Sequence, residues 1–409
     1  MHRWCVLRNH DYIWLCECYR YVLVHAWIKA FLTEGTSGIY QQYYKAHQLS
    51  DYTPSEIAWI NSTEVFLTVL LAIIVGPLYD IFGPLPLIIP GTILNVVGIM
   101  MTSIGKTYWQ LFLAQGICTG IGASMVFNSI IPAVSSWFTK KRATALGLSN
   151  AGSSLGGVLI PIIFRQVEPE SGFGWAVRAI GFFFIFLSIV CCFLTSSRTP
   201  PPGRRIVSYK QTYVSPFSQL PFALVTAAVF FTYFGVFSPF SYIPSQAISH
   251  GVSTGLATYL LSILNAVSIF GRIIPGILAD RIGRFNMYVL ATLGAGISTL
   301  AIWIPANSIG PIILYVVFYG FFSGAAVSVW QSVVAEVSPP KEIGARLGTV
   351  SAVASLGALA GTPITGALIT STGGEYWGTA LFAGIMLCMG GVCAMSAKIA
   401  LTGDWRSKK

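Results

Sequence analysis

Very few side chains in this sequence have the charge to act on a solute, and several of them stand in apolar surroundings. Arg272 is the only basic residue deep in an apolar run, Ile269-Phe270-Gly271-Arg272-Ile273-Ile274-Pro275-Gly276. A guanidinium grips a carboxylate through two parallel hydrogen bonds, so Arg272 is a candidate anion anchor. The plainer alternative is that it snorkels to the membrane surface or braces Asp280. Glu34, Glu64 and Glu336 are the acids at or near the same depth. A carboxyl kept from water holds its proton nearer neutrality, which makes these three candidates for proton coupling; Glu34 and Glu64 would equally suit a wetted helix end.

Asp80 and Asp280 are of another kind. Gly76-Pro77-Leu78-Tyr79-Asp80-Ile81-Phe82-Gly83 and Gly276-Ile277-Leu278-Ala279-Asp280-Arg281-Ile282-Gly283 both read G-x-x-x-D-x-x-G, each closing an apolar stretch. A second pair follows, Leu146-Gly147 with Ser154-Leu155-Gly156 against Leu347-Gly348 with Ser355-Leu356-Gly357. The chain is thus two parallel halves. Residues at matching places in both halves are candidates for a gate, with Arg281, Arg284, Lys140, Lys141 and Arg142 as the nearby cations. The first copy lacks the basic residues that Arg281 and Arg284 supply to the second, so its aspartate must borrow positive charge from elsewhere. The bland reading is that each aspartate ends a helix in water.

The elements that must position these groups are membrane helices. Charged residues are 9% of the chain, apolar ones 54%, and mean hydropathy is +0.70. Crossing a bilayer takes roughly 20 apolar residues. Such runs lie near 56–76, 85–104, 108–137, 143–164, 173–195, 221–244, 256–276, 286–304, 310–334, 346–370 and 376–398, with a poorer one in 19–42. They are continuously apolar and too long for barrel strands. The expected fold class is an all-α polytopic membrane protein of two six-helix halves, the first helix atypical. The halves are 31–195 and 221–398, joined by the proline-rich, basic linker 196–220 and followed by a short tail, 399–409.

Lys and Arg favour cytoplasmic loops. One set of connections holds Lys140, Lys141, Arg142, Arg198, Arg204, Arg205, Lys210, Arg281, Arg284, Lys341 and Arg346, and the other only Lys45, Lys106, Arg165 and Arg178. The net charge of +10 is explained by this topology, and no nucleic-acid role is called for. Asp80, Asp280 and the C-terminus fall on the cytoplasmic side of a multi-pass protein of the plasma membrane or, alternatively, the vacuolar membrane. The histidines form no cluster, and Cys16-Glu17-Cys18 has no partner pair with metal-ligand spacing. There is no P-loop, Gly-x-Ser-x-Gly elbow or His-Glu-x-x-His, so no cofactor, metal, ATP-driven pump or familiar hydrolase is expected.

The segment Trp137-Phe138-Thr139-Lys140-Lys141-Arg142-Ala143-Thr144-Ala145-Leu146-Gly147-Leu148-Ser149-Asn150-Ala151-Gly152-Ser153-Ser154-Leu155-Gly156-Gly157 resembles the monocarboxylate porter family of the major facilitators. Tyr40-Gln41-Gln42-Tyr43-Tyr44, Glu56-Ile57-Ala58-Trp59-Ile60 and Phe270-Gly271-Arg272-Ile273-Ile274-Pro275-Gly276 resemble its fungal branch. The likeness covers roughly residues 31 to 400. It implies the major facilitator fold and alternating-access transport of a small organic solute, with or without protons. Arg272 would pair with a substrate carboxylate or a neighbouring acid.

Two positions depart from characterised animal relatives, with Ser268 where they carry an Asp and Ser37 where they carry a Lys. A strict proton–lactate reading is weakened accordingly. Fungal members are associated with short monocarboxylates, riboflavin and export of secondary metabolites. Asn128, Tyr233, Phe237, Asn265, Trp330 and Gln331 are the lining candidates, and an amphipathic organic anion or metabolite suits them better than a bare ion.

The family's acidic-Gly-Gly-aromatic-Gly-Trp opening is missing. Residues 1–30 carry Arg3, Arg8, Asp11, Glu17, Arg20, His25 and Lys29, an awkward load for a first span. They read as an alternative start or a gene-model error, with the helix resuming near Phe31. The competing functional readings are a metabolite exporter of a biosynthetic cluster, and a non-transporting sensor or inactive variant with a defective first helix. Oligomeric state is left open.

Overall fold

The computed structural model describes residues 37–52, 54–138, 141–194, 213–340 and 342–404. The segment 1–30, Glu34, Lys140, most of the 196–220 linker and residues 405–409 lie outside them. Helices α1 (Ser37–Ala46), α2 (Pro54–Leu70), α3 (Ala72–Phe82), α4 (Leu85–Thr102), α5 (Gly120–Trp137) and α6 (Arg142–Leu194) precede the linker. After it come α7 (Leu220–Val236), α8 (Ser238–Ser249), α9 (Thr254–Ile282), α10 (Arg284–Ser298), α11 (Ile309–Glu336), α12 (Ile343–Ser371) and α13 (Trp377–Thr402). Among the described residues there is no strand.

Among the described residues, ten helical stretches are long and apolar enough to cross a membrane. One of them, Arg142–Val190, contains Gly172 at φ 80 and ψ 167, a conformation glycine tolerates best, and there the helix divides in two. The sequence places the connection between these two spans at 165–172. The chain instead stays helical through Arg165–Ser171 and turns at the glycine alone. Two stretches, Phe112–Thr119 ahead of α5 and Thr299–Trp303 after α10, are π-helical, which nothing in the sequence announces.

Large apolar side chains such as Phe186, Phe193, Phe270 and Val392 are exposed on the outside of the bundle. Such a face suits lipid, in which helices must satisfy their own backbone groups. Inside, glycine, alanine and serine let backbones approach, the usual basis of helix association where lipid provides no hydrophobic drive. The part before the linker meets the part after it chiefly where α9 packs along α6 and where α12 packs along α3 and α2.

Candidate functional site

The repeated G-x-x-x-D-x-x-G pattern resolves into three separate tasks. The first glycine allows close approach: a Cβ on Gly76 would overlap the Gly344 carbonyl, and one on Gly276 would stand 2.8 Å from the Ala143 carbonyl oxygen. The last glycine ends the helix with positive φ, 80° at Gly83 and 106° at Gly283. Their N–H groups return to the carbonyls of Tyr79 and Ala279.

The aspartate between them caps a helix that belongs to the other half. Asp80 accepts from the N–H groups of Gly344 at 3.2 Å and Ala345 at 2.8 Å, at the start of α12. Asp280 accepts from the N–H groups of Ala143 at 3.1 Å and Thr144 at 2.8 Å, at the start of α6. The Thr144 hydroxyl adds a bond at 2.8 Å that the other seam lacks. The first N–H groups of a helix have no partner within it and carry the positive end of its dipole. This is the positive charge that Asp80 borrows.

The expected cations are distributed unevenly around these caps. Arg284 lies 3.5 Å from Asp280 and 3.8 Å from Glu336. Arg142 donates to the carbonyls of Phe138 at 3.2 Å and Ala335 at 3.3 Å, so it too reaches across to α11. Lys141 and Arg281 are exposed. Glu336, grouped by sequence with the coupling acids, stands in this end cluster. Arg346, which the sequence marks only as a loop cation, is buried; it donates to Gln219 Oε1 and the Val337 carbonyl, both at 3.0 Å.

Further into the bundle, α9 turns one polar stripe toward α6. Arg272 is buried and donates to the Asn150 carbonyl at 2.7 Å and to the Ser153 hydroxyl. One turn on, Ser154 Oγ and Ser268 Oγ are 3.2 Å apart. Beyond them Asn265 lies over Gly157, where a Cβ would stand 2.8 Å from its amide. Asn150 also donates to Gln331 Oε1 of α11 at 2.9 Å. Arg272 and Gln331 therefore belong to one network hinged on Asn150, a residue the sequence does not single out.

The remaining candidates separate by half. Tyr233 packs edge-on against Phe237 and Trp330, with ring centroids 5.8 and 6.0 Å apart. Trp330 Nε1 and Asn265 Oδ1 are buried polar atoms with no hydrogen-bond partner among the described residues. Asn128 donates to the Thr68 and Ser124 carbonyls at 2.9 and 3.0 Å, tying α5 to α2. Glu64 is buried and accepts from Gln115 Nε2 at 3.1 Å, while Gln115 Oε1 accepts from the Tyr44 hydroxyl at 2.9 Å. Glu64 is thus part of a chain of groups and is remote in sequence from both partners. Among the described residues no group of three or more His, Cys, Asp or Glu could hold a metal ion.

A helical membrane bundle of two repeated halves, tied at one end by aspartates that each cap a helix of the other half, has the build of a solute transporter that works by moving one half against the other. The model of the Major Facilitator Superfamily matches residues 26–319 and 274–402, and the chain belongs to that family. It is 40% identical over 385 residues to the MFS transporter asaE of Aspergillus flavus, covering 93% of this chain and 87% of that one. It is 37% identical to the fujikurins efflux protein of Gibberella fujikuroi, over 93% and 82% of the two chains. With the aspyridones efflux protein apdF of Emericella nidulans it shares 39% identity, over 91% and 75%. Among solved structures, the E. coli fucose:proton symporter FucP superposes with a TM-score of 0.72 at 14% identity, over 93% and 98% of the chains. The human organic anion transporter MFSD10 gives 0.71 at 16%, over 92% and 99%. These two establish the fold alone.

Proposed function

We propose that this transporter exports an amphipathic organic acid or related secondary metabolite by alternating access, with the Asp80 and Asp280 end facing the cytoplasm of a plasma-membrane protein. The observation that carries this reading is Arg272, a guanidinium buried at the α9–α6 seam, where its contacts include the Asn150 carbonyl and the Ser153 hydroxyl. A carboxylate or enolate entering the seam can take two parallel, charge-assisted hydrogen bonds from it. Cargo binding would then loosen the contact that holds α9 to α6. Trp330, Tyr233 and Phe237 supply an apolar surface with one indole donor beside it. Two of the relatives above are named as efflux proteins of metabolites, which favours export over uptake. The monocarboxylate-porter likeness of residues 137–157 favours an anion. No nucleotide-binding motif is present in the sequence, so a gradient of the cargo or of protons is the energy source, with Glu64 as the acid to test.

The test is to compare intracellular and secreted metabolites in cells with and without the gene, then to follow the compound that changes in liposomes holding the purified protein. Accumulation inside the deletion strain and protein-dependent flux in liposomes support export. Identical profiles, with no flux of any acidic metabolite, refute it.

A further inference from the structure

We infer that residues 213–219, the end of the linker next to α7, form a strap fastened across the α3–α12 seam, with Tyr213 as its buckle on α3. This rests on the reading that the Asp80 end opens and closes during transport. The Tyr213 hydroxyl donates to the Ile73 carbonyl at 2.9 Å, 140 positions away in sequence. That carbonyl is available for a definite reason: in a helix it would accept from the N–H of residue 77, and residue 77 is Pro77, which has none. Freed carbonyls in membrane helices are satisfied by neighbours. Here the neighbour comes from the linker.

The strap's other end is tied to the opposite side of the same seam. Gln219 Oε1 accepts from Arg346 Nη1 of α12 at 3.0 Å, and the Arg346 guanidinium lies over the Phe222 ring of α7 at 5.3 Å. Between the two anchors, Ser215–Ser218 is coiled into a 3-10 turn held by the Gln219 N–H bond to Pro216 and the Ser218 hydroxyl bond to Ser215. Ile73 adjoins Ala72, whose carbonyl a Cβ on Gly348 of α12 would overlap. The buckle therefore sits beside one of the close backbone approaches of this seam, two turns along α3 from Asp80. Parting α3 from α12 must break the Tyr213 bond, break the Gln219–Arg346 bond or unwind the turn. In each case the strap favours the closed seam. The second copy of the repeat has isoleucine, Ile277, where the first has Pro77, so the strap's foothold exists in one half only.

Hydrogen exchange on the purified full-length protein, without cargo, reads the seam directly, because the Gly344 and Ala345 amides are bonded to Asp80 only while it is closed. Tyr213→Phe should speed exchange of the peptide containing them by about three- to tenfold, the range of one net hydrogen bond. The peptide containing Ala143 and Thr144 should change less. Pro77→Ala returns an N–H to the Ile73 carbonyl, so in that background Tyr213→Phe should lose most of its effect. Unchanged exchange in Tyr213→Phe, or the same acceleration with and without Pro77, overturns the proposal. If Tyr213→Phe does not purify folded, Gln219→Leu removes the other anchor, and wild-type exchange in that variant is equally fatal. No cargo enters the measurement, so its failure is distinct from a failure of the export reading.

Discussion

Asp280 and Thr144, 136 positions apart, meet twice, through the Thr144 amide and through its hydroxyl, each at 2.8 Å from the same carboxylate oxygen. The equivalent meeting of Asp80 with Ala345 has only the amide. The two seams share one plan, to which the Asp280 seam adds this hydroxyl and the Arg284 ion pair.

Thr144→Ala should therefore loosen the α6–α9 seam by the loss of one of its bonds to Asp280. A helix cap contributes about 1 kcal/mol, so labelling of a cysteine placed in the seam should accelerate by about fivefold. Asp280→Asn should have a larger effect, because it removes the charge opposite the α6 amides as well as one acceptor. If both variants label at the wild-type rate, the aspartate is no more than a helix end.

Gly76→Ala and Gly348→Ala should each hold α3 and α12 apart. Their added Cβ atoms would overlap the Gly344 and Ala72 carbonyls, and overpacking of this kind costs about 1–3 kcal/mol. A fall in thermal midpoint in detergent is the expected readout. Gly310→Ala meets nothing within 4 Å and serves as the control. A midpoint unchanged in all three would mean the backbones do not meet as described.

Arg272→Ala should cut export by about tenfold or more at normal surface expression, the loss expected for a charge-assisted hydrogen bond. Arg272→Lys keeps the charge as a single point and should retain part of the activity. Wild-type flux in the alanine variant would remove Arg272 from the transport cycle.

Glu64→Gln imitates a protonated carboxyl that cannot release its proton. If Glu64 carries the coupling proton, wild-type flux responds to a pH step across liposomes and Glu64→Gln flux does not, while exchange at equal pH survives. A variant that still follows the pH step excludes Glu64.

Sequence spacing is sufficient to place the eleven clear spans, because each is a largely apolar run of bilayer length; the poorer run at 19–42 lies mostly outside the described residues. It also marked Asp80 and Asp280, because duplication made them visible as a pair. Their partners were not visible. A cation search among side chains overlooks backbone amides, and only packing decides that α12 begins beside Asp80. Arg272 stood out as a charge in an apolar run, but its contact with Asn150 depends on which face α9 turns to α6. Glu336 looked membrane-embedded in one dimension and lies beside Arg284 in three. Tyr213 gave no signal at all, since its role exists only because of a proline in another helix.

The exchange of caps between halves also bears on how the chain is made. When Thr144 leaves the ribosome, the carboxylate that will satisfy the start of its helix is still 136 residues from synthesis. At usual elongation rates that is a delay on the order of ten seconds. Throughout it the first half sits in the bilayer with the start of α6 uncapped, and Asp80 in turn waits longer, for Ala345, 265 residues on. The first half therefore cannot complete its own helix ends during insertion, and the chain reaches its final set of hydrogen bonds only after the second half has been threaded into the membrane beside it.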